Sequence, residues 1–312
     1  MGKIPEVKIW ITGATGSLGQ ELVKKLGFTH PDAILLAPPR RELDLSDKEA
    51  VRNFVFLNKP THVFHLAAKV FGIAGHKEQP ALSLIENTLI DFSVFSALIE
   101  FPPKWMYYSS TVAAYGYPYK NMPLHENDWL SGNPHDSEMG YAYSKRHGLS
   151  YLEILHSTSG TKFAYGLTTN LFGSGDRFLE GRGHVVISLL EKATNVVDTK
   201  EPLEVWGDGT ASRDFLSTKT AAGLIIELID KHVGVINIAS GQEIYIKDVA
   251  NQIARIFELE NGVKFLGINQ GITGRVCSIE KLVSFVPHAD ATNSKNELLE
   301  EIKAYRNSLS TK

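Results

Sequence analysis

Three glycines spaced three residues apart follow the first apolar run of the chain. Lys8 to Ile11 has the pattern of a buried parallel strand, and a helical pattern follows the glycines from Gln20 to Leu26. A strand, a glycine turn and a helix in this order are typical of a unit that holds a dinucleotide's pyrophosphate, although a flexible glycine loop would read similarly. The spacing is G-x-x-G-x-x-G, and not the more common G-x-G-x-x-G. We predict a cofactor-binding turn formed by Gly13, Thr15, Gly16, Ser17, Leu18 and Gly19.

The segment after the second apolar run favours a phosphorylated cofactor. Ala33 to Leu36 predicts the second strand, near whose end NAD enzymes commonly place an acid for the ribose hydroxyl. Here the adjacent cations Arg40 and Arg41 stand instead, which favours a 2′-phosphate and hence NADPH, with NAD as the other option. A solvated basic turn would have the same composition. Asp44 and Leu45 follow, and Asp44 is placed to reach an adenine amino group.

Composition limits the partners of the chain. The 312 residues suit one large α/β unit or two joined lobes, and the net charge of −3 argues against nucleic acid or an anionic membrane as the main partner. The single cysteine, Cys277, excludes an intrachain disulfide and a multi-cysteine metal site, so we expect no metal. No run reaches the ~18 apolar residues that span a bilayer. We therefore expect a cytoplasmic protein.

A hydroxyl at a strand end and a later Tyr-x-x-x-Lys sequence predict hydride chemistry at a carbon–oxygen bond. The predicted strand Trp105 to Ser109 leads to Thr111, and a predicted helix carries Tyr141 and Lys145. A lysine one helical turn from a tyrosine lies on the same helix face, where its charge lowers the phenol pKa from ~10. An ordinary buried strand followed by a helix is the alternative.

Strands and helices alternate regularly until about residue 170 and irregularly afterwards. The pattern predicts an α/β fold, a Rossmann-type doubly wound parallel sheet with a smaller mixed α/β lobe that binds substrate. We assign residues 1–170 to the sheet domain, with a segment near 213–240 returning to it, and 171–312 mainly to the second lobe. The stretch from Val205 to Phe215 is predicted to be rich in loops. Ser46 is predicted to cap a helix that begins near Lys48, with Glu49 completing a capping box.

These motifs together resemble the extended short-chain dehydrogenase/reductases that act on nucleotide sugars, the NAD-dependent epimerase/dehydratase family. The residues that carry the resemblance are Gly13-x-x-Gly16-x-x-Gly19, His65-Leu66-Ala67-Ala68, Ser110-Thr111 before Tyr115-Gly116, Tyr141-x-x-x-Lys145 and Asn170-Leu171-Phe172-Gly173. A narrower resemblance, to the GDP-L-fucose synthases, covers nearly the whole chain. It includes Pro134 to Arg146, Gly183 to Val186, Val205 to Gly207 and Arg213 to Phe215.

The resemblance implies reduction and epimerisation of GDP-4-keto-6-deoxymannose with NADPH. Thr111 would hydrogen-bond the C4 oxygen, Tyr141 would protonate it, and Lys145 would hold the nicotinamide ribose. The implied substrate-binding residues are Thr111, Asn170, His184, Lys192, Trp206, Arg213 and Arg275. The remaining cofactor contacts are expected at Leu66, Ala67, Ala68, Leu167 and Asn170, in addition to Tyr141 and Lys145. For Trp206 a plain core aromatic is the alternative.

The chain departs from the fucose synthases at the epimerisation site. That family has a cysteine two residues before the position of Tyr115, paired with a histidine, and the two carry protons at C3 and C5. This chain has Ala113 at the cysteine position and keeps the histidine as His184. Alanine transfers no proton. We therefore expect a 4-keto reductase with little or no double epimerisation, or with epimerisation of one centre through His184. The usual His-Val-Asp-Asp is replaced by Ser217 to Thr220, which leaves the sugar open.

Particular residues disfavour two other functions, and two apolar helices bear on a homodimer. A redox-neutral 4-epimerase or a dehydratase is disfavoured by the basic Arg40 and by the apolar Val112-Ala113 pair, where dehydratases have Asp-Glu. A non-catalytic NADPH-binding sensor is disfavoured because both Tyr141 and Lys145 are present. The predicted helices 82–100 and 140–156 commonly form a homodimer contact in this family, although one-sided packing on the sheet is the alternative. Their apolar stripes include Leu89, Phe92, Phe95, Leu149, Leu152 and Leu155.

Overall fold

The elements alternate between strand and helix along most of the chain. The structure, a computed structural model, describes residues 6–70, 78–173, 185–267, 271–288 and 291–309. In chain order the elements are β1 (Lys8–Thr12), α1 (Ser17–Thr29), β2 (Ile34–Leu36), α2 (Lys48–Asn58), β3 (His62–His65), α3 (Pro80–Glu100), β4 (Trp105–Thr111), α4 (Met139–Ser159), β5 (Lys162–Thr168), β6 (Asn170–Phe172), α5 (Val185–Val196), β7 (Leu203–Val205), β8 (Ser212–Arg213), β9 (Phe215–Ser217), α6 (Thr218–Ile226), β10 (Gly234–Ile238), β11 (Ile244–Tyr245), α7 (Ile246–Ile256), β12 (Val263–Phe265), α8 (Glu280–Phe285) and α9 (Ser294–Leu309).

The central sheet has six parallel strands in the order β10-β5-β4-β3-β1-β2. The chain starts in the middle of the sheet and moves outward in both directions, so the strand order reverses between β1 and β3. In open sheets of this kind ligands bind outside the carboxyl ends of the strands at such a reversal. The predicted fold class is confirmed. The division of the chain at residue 170 stays a prediction.

Alternating strand residues build a core on each face of the sheet. On β1, Trp10 points to the face covered by α2, α3 and α4, while Ile9 and Ile11 point to the face covered by α1 and α6. On β4, Tyr108 and Tyr107 divide between the two faces in the same way. A strand that is buried on both faces of a sheet has a continuous apolar sequence. This pattern is the reason that these strands could be predicted.

The long helix α3 is long and apolar enough to cross a membrane by length and composition alone. In the fold it packs between α2 and α4. Three polar side chains four residues apart, Ser83, Asn87 and Asp91, are buried on it with at most 2% exposure. Polar groups buried in this position must be hydrogen-bonded, so this helix is committed to specific partners inside the protein.

The second lobe is assembled from short strand pairs and the helices α5, α7 and α9. Parallel pairs join β6 to β9 and β7 to β12, and an antiparallel pair joins β8 to β11. Its own core includes Phe172, Leu190, Phe215, Ile253 and Phe257. The stretch from Val205 to Phe215 is rich in loops, as predicted, and it also contains β8, a strand too short to show a period of two.

One helix cap differs from the prediction. Asp47, and not Ser46, is the N-cap of α2, and its carboxylate accepts a hydrogen bond from the Ala50 N–H at 3.0 Å. The Ser46 hydroxyl instead donates to Asp44 Oδ1 at 2.7 Å. Both residues are good caps, and the preceding turn, which Asp44 closes, decides between them.

Candidate active site

The glycine turn lies against the end of β3. Gly13 has a φ of +70°, and a β-carbon there would lie 2.9 Å from the Ala67 nitrogen. A β-carbon on Gly19 would lie 2.3 Å from the Gly13 carbonyl oxygen. Any larger residue at either position would separate the turn from β3 or from its own helix. The predicted roles of these two glycines in the tight turn and in close packing therefore have a steric basis.

The turn exposes the N-terminus of α1. Gly16 is the N-cap, its N–H donates to the Gly13 carbonyl at 3.0 Å, and no acid lies in the first helical turn. Thr15 and Gly16 are exposed and Ser17 is half-buried, whereas Leu18 is buried in the core. A helix N-terminus without an acidic neighbour favours an anion electrostatically. The residues present therefore fit a dinucleotide's pyrophosphate.

The loop after β2 places one cation at the edge of this crevice. The Arg40 guanidinium lies 3.2 Å from Asp44 Oδ2, and its side chain is 77% exposed. Hydrogen bonds from Ser46 hold the pKa of Asp44 below its ordinary value, and Arg40 adds to this. Leu45 is half-buried beside them. Arg40 is thus a solvent-facing cation, oriented by a carboxylate and available to a second anion.

Three of the predicted catalytic residues, Thr111, Tyr141 and Lys145, lie on neighbouring elements at the carboxyl edge of the sheet. Thr111 ends β4, and its Oγ1 accepts the Ala113 N–H at 3.1 Å, which leaves the hydroxyl proton for another acceptor. Tyr141 and Lys145 lie one turn apart on α4. The Lys145 Nζ is 5.8 Å from the centre of the Tyr141 ring, and the Lys145 side chain is 1% exposed.

Burial, and not the lysine, dominates the pKa of Tyr141. Burial raises the pKa of the phenol above its ordinary value, and the carboxylates of Asp91 and Glu138 raise it further. The expected lowering by Lys145 is therefore not the net effect. Burial also lowers the pKa of Lys145, and Asp91 opposes that shift. Each group is destabilised in its charged form because water is excluded.

Two residues in this region escaped the sequence analysis. Asp91 on α3 and Tyr108 on β4 are both buried, and the Tyr108 hydroxyl donates to Asp91 Oδ2 at 2.6 Å. The Lys145 Nζ lies 4.7 Å from the centre of the Tyr108 ring. A signal was present in the sequence: a carboxylate inside an apolar helix, at the same four-residue spacing as Ser83 and Asn87, points toward the core.

The predicted substrate residues form two groups. Lys192 Nζ lies 4.9 Å from the centre of the Trp206 ring, and Trp206 is 75% exposed, which rules out a plain core aromatic. Arg275, 5% exposed, pairs with Glu138 and donates from Nε to the Tyr119 hydroxyl at 2.7 Å. Burial and the neighbouring Arg275 lower the pKa of Arg213 to about 10.

The remaining predicted residues have different surroundings. Asn170 begins β6 and donates from Nδ2 to the Asp214 carbonyl at 3.1 Å. Leu167 is fully buried in β5, and the segment Leu66 to Ala68 directly follows β3. His184 lies outside the described residues.

Comparison with known proteins identifies relatives. The model of the NAD dependent epimerase/dehydratase family matches residues 9–239. A GDP-L-fucose synthase from Sinorhizobium fredii is 28% identical over 282 residues, which are 89% of this chain and 88% of that protein. These matches confirm the family predicted from the motifs and the expectation of an NAD(P)-dependent enzyme.

Solved structures share the fold over the full chain. A GDP-L-fucose synthetase from Naegleria fowleri bound to NADP superposes with a TM-score of 0.86 at 22% identity, covering 100% of this chain and 97% of that one. A GDP-6-OMe-4-keto-L-xylo-heptose reductase from Campylobacter jejuni gives a TM-score of 0.85 at 24% identity, covering 100% and 99%.

The buried pair of Glu138 and Arg275 predicts a pH-dependent stability. Although burial alone raises the pKa of Glu138, Arg275 holds it below its ordinary value of 4.5. The stabilisation of the folded state by ionised Glu138 is therefore fully present above pH 4.5. It is lost as the pH falls through the lowered pKa. Glu138→Gln leaves the Arg275 guanidinium buried without its carboxylate. We expect the free energy of unfolding at pH 7, measured by urea denaturation, to fall by about 3 kcal/mol.

The matched control is Glu100→Gln, which breaks an exposed pair with Arg52. We expect a much smaller loss in this variant, and we expect Glu138→Gln and the unsubstituted protein to converge as the pH falls below 4.5. Equal losses in the two variants, or a pH-independent difference, would contradict a buried ion pair.

Proposed function

The chain belongs to the NAD dependent epimerase/dehydratase family, and from that premise we propose that it reduces a GDP-linked 4-keto sugar with NADPH. The observation that supports the proposal is the Tyr141–Lys145 pair, with the Lys145 Nζ 5.8 Å from the centre of the Tyr141 ring, on a helix that packs against β4 and the turn after Thr111. A hydroxyl donor, a phenol and a buried ammonium are the groups that a carbonyl reduction needs from the protein.

Thr111 and Tyr141 act on the carbonyl oxygen. The Thr111 hydroxyl already accepts the Ala113 N–H, so its own proton is free to bond the C4 oxygen of the sugar. The Tyr141 phenol gives its proton to the same oxygen as negative charge develops there. Burial keeps the phenol protonated, because it raises the pKa of Tyr141. The group therefore enters the reaction as an acid.

Lys145 stabilises the negative charge that Tyr141 acquires. A reduced nicotinamide supplies the hydride to C4 when it is bound. The glycine turn and the N-terminus of α1 would hold its pyrophosphate, and Lys145 would hold the ribose. The ammonium, 5.8 Å from the ring centre of Tyr141, is close enough to favour the phenolate electrostatically in a site without water.

The second lobe supplies an aromatic face and cations for a nucleoside diphosphate. Trp206 is exposed and stacked by the Lys192 ammonium on one side, so its other face can stack on a base. Arg213 is a half-buried cation close to the Arg275–Glu138 pair. The excess positive charge suits a diphosphate. The relatives' names specify GDP as the nucleotide.

Ala113 favours reduction without double epimerisation. It is 4% exposed, in the short turn directly after Thr111, beside the site where a sugar ring would lie. A methyl group there can neither remove nor return a proton. A redox-neutral 4-epimerase is not favoured, since the named relatives are fucose synthases and a 4-keto sugar reductase.

A preference for NADPH is supported by the loop after β2. Arg40 is exposed and faces solvent near the predicted position of the adenosine ribose, and Asp44 orients its guanidinium. A guanidinium recognises a phosphate with paired hydrogen bonds. The NADP in the Naegleria fowleri structure agrees with this choice.

Helices α3 and α4 present an uncovered apolar face for a second copy of the chain. Its exposed members include Ile85 at 54%, Leu89 at 49%, Ile99 at 48% and Ile154 at 52%. Other members of the predicted stripe, Phe95, Leu149, Leu152 and Leu155, are buried against the sheet. Each of the two helices thus has apolar residues on the side that packs on the sheet and on the side that faces solvent. A helix that packs on one side only does not need the second apolar side. We propose a homodimer through this face.

The function is tested by NADPH consumption with GDP-4-keto-6-deoxymannose, with the sugar product identified by mass spectrometry. Tyr141→Phe removes the proton donor, and we expect kcat to fall by about 100-fold or more. The control is Tyr143→Phe on the same helix, whose hydroxyl bonds Asn133 outside the proposed site. No NADPH consumption with any GDP-4-keto sugar, or equal effects of the two variants, would refute the proposal.

The same reaction in D2O tests the role of Ala113. Deuterium should enter at no more than one of C3 and C5, because half of the epimerisation pair is absent. Rapid exchange at both carbons, undiminished by His184→Ala, would show that another residue performs the epimerisation.

Cofactor choice is tested at Arg40. For Arg40→Ala we expect the Kd for NADPH to rise about tenfold, while the Kd for NADH stays the same, since one charge-assisted contact to the 2′-phosphate is lost. Isothermal titration calorimetry measures both. Arg52→Ala, a surface arginine on α2, should change neither. Equal weakening of NADPH and NADH by Arg40→Ala would contradict a phosphate contact.

The dimer is tested by light scattering during size-exclusion chromatography. Leu89→Lys places a charge on the proposed interface and should convert a dimer into a monomer. Phe28→Lys alters a residue that is 87% exposed on α1, on the other side of the sheet, and should leave the dimer intact. A monomeric unsubstituted protein would end the proposal.

A further inference from the structure

Asp91 is a buried carboxylate that the proposed chemistry does not use. It lies in the middle of α3 with 2% exposure. The Tyr108 hydroxyl donates to its Oδ2 at 2.6 Å, and His65 Nε2 lies 3.0 Å from its Oδ1. A carboxylate removed from water is costly unless hydrogen bonds and an opposite charge compensate it. These two hydrogen bonds supply part of the compensation, and a nearby cation would add to it.

The surrounding hydrogen bonds fit a carboxylate at Asp91 that accepts at both oxygens. Thr12 Oγ1 accepts the backbone N–H groups of Leu66 at 3.1 Å and of Ala67 at 3.2 Å. Its own proton therefore points to His65 Nδ1, 2.7 Å away. With Nδ1 as an acceptor, Nε2 carries the ring proton and donates to Asp91. Both carboxylate oxygens then act as acceptors, as in the ionised form.

A buried cation lies against the tyrosine ring that bonds this carboxylate. The Lys145 ammonium lies 4.7 Å from the centre of the Tyr108 ring, and the hydroxyl of the same ring is bonded to Asp91. Hydrogen bonding to a carboxylate enriches the ring in electron density, and a richer ring attracts a cation more strongly. Tyr108 itself is held by parallel stacking on Tyr165, with centres 5.5 Å apart and planes 6° apart.

Lys145 needs this support because its ammonium is almost fully buried. Burial lowers the pKa of the ammonium, and the charge of Asp91 is the influence that raises it. The tyrosines around it are kept neutral, because burial raises the pKa of each. Among the described residues, the titratable groups around it are Tyr141 on its own helix, Tyr108 on β4, Tyr165 on β5 and Asp91 on α3. Glu138 acts on the neighbouring Tyr141, and His65 bonds Asp91.

We propose that Asp91 is a positioning residue of the active site, which acts through Tyr108 to keep Lys145 charged and seated beside Tyr141. The proposal rests on the reductase function proposed above for the site. It assigns a role to α3 that the Thr-Tyr-Lys arrangement does not contain. The same chain of hydrogen bonds continues through His65 to Thr12, so the residue before the glycine turn and the catalytic lysine share one buried network.

The test removes the charge of Asp91 and follows Lys145 directly. In Asp91→Asn, the Lys145 ammonium should lose its proton at a lower pH than in the unsubstituted protein. The titration is read by NMR on 15N-lysine-labelled protein, with the signal assigned from Lys145→Arg. This readout needs no substrate, so it remains decisive even if the enzyme reduces a different sugar.

Activity supplies the second readout. Because only charged Lys145 supports Tyr141, the loss in kcat/KM caused by Asp91→Asn should be about tenfold larger at pH 9 than at pH 7. Asp91→Glu keeps the charge, so its kcat/KM should change with pH on the alkaline side as in the unsubstituted enzyme. Asn87→Ala removes buried hydrogen bonds one turn earlier on α3 without altering charge, and its loss should be the same at both pH values.

Several outcomes would overturn the proposal. An unchanged Lys145 titration in a folded Asp91→Asn protein shows that the carboxylate does not act on the lysine. Equal losses at the two pH values in Asp91→Asn, matching those of Asn87→Ala, assign Asp91 a purely structural role. If circular dichroism shows that Asp91→Asn is unfolded, Asp91→Ser removes the same charge in a smaller side chain and the same titration decides.

Discussion

The close approach of the glycine turn to the end of β3 is the constraint on which the rest of the site depends. Gly13 leaves no room for a β-carbon against the Ala67 nitrogen, and the Thr12 hydroxyl accepts the N–H groups of Leu66 and Ala67. These contacts fix the carboxyl ends of two adjacent strands at the point where the strand order reverses. As a consequence, the N-terminus of α1 lies at that edge of the sheet. Thr111 lies at the same edge, at the end of β4, two strands away from β1.

Much of this frame could be predicted from the sequence because its signals are local. A buried strand, a glycine turn and a helix lie consecutively between Lys8 and Thr29, and Tyr141 and Lys145 are placed by one helical turn. The buried network around Lys145 could not be predicted in the same way. Asp91, Tyr108 and His65 come from three elements, and their contact depends on side-chain packing across the sheet. The balance of charge and burial at Tyr141 likewise required the surrounding atoms.

The two faces of the site differ in how they hold charge. Around Lys145 the charges are few, buried and neutralised through an aromatic ring, which suits proton transfer without water. Around Arg213 and Arg275 two cations lie close together, and the Glu138 carboxylate pairs with Arg275. A substrate with an anionic part would therefore be attracted to these cations by its charge.

The buried carboxylate of Asp214 fixes the backbone beside Arg213. It accepts the N–H groups of Ser240 and Gly241 at 2.9 Å, together with the Ser240 hydroxyl at 2.8 Å, and the Asp214 carbonyl accepts from Asn170. One side chain thereby connects the residue before β9 to the loop after β10. Because Arg213 directly precedes Asp214, the same hydrogen bonds hold the segment that carries this cation.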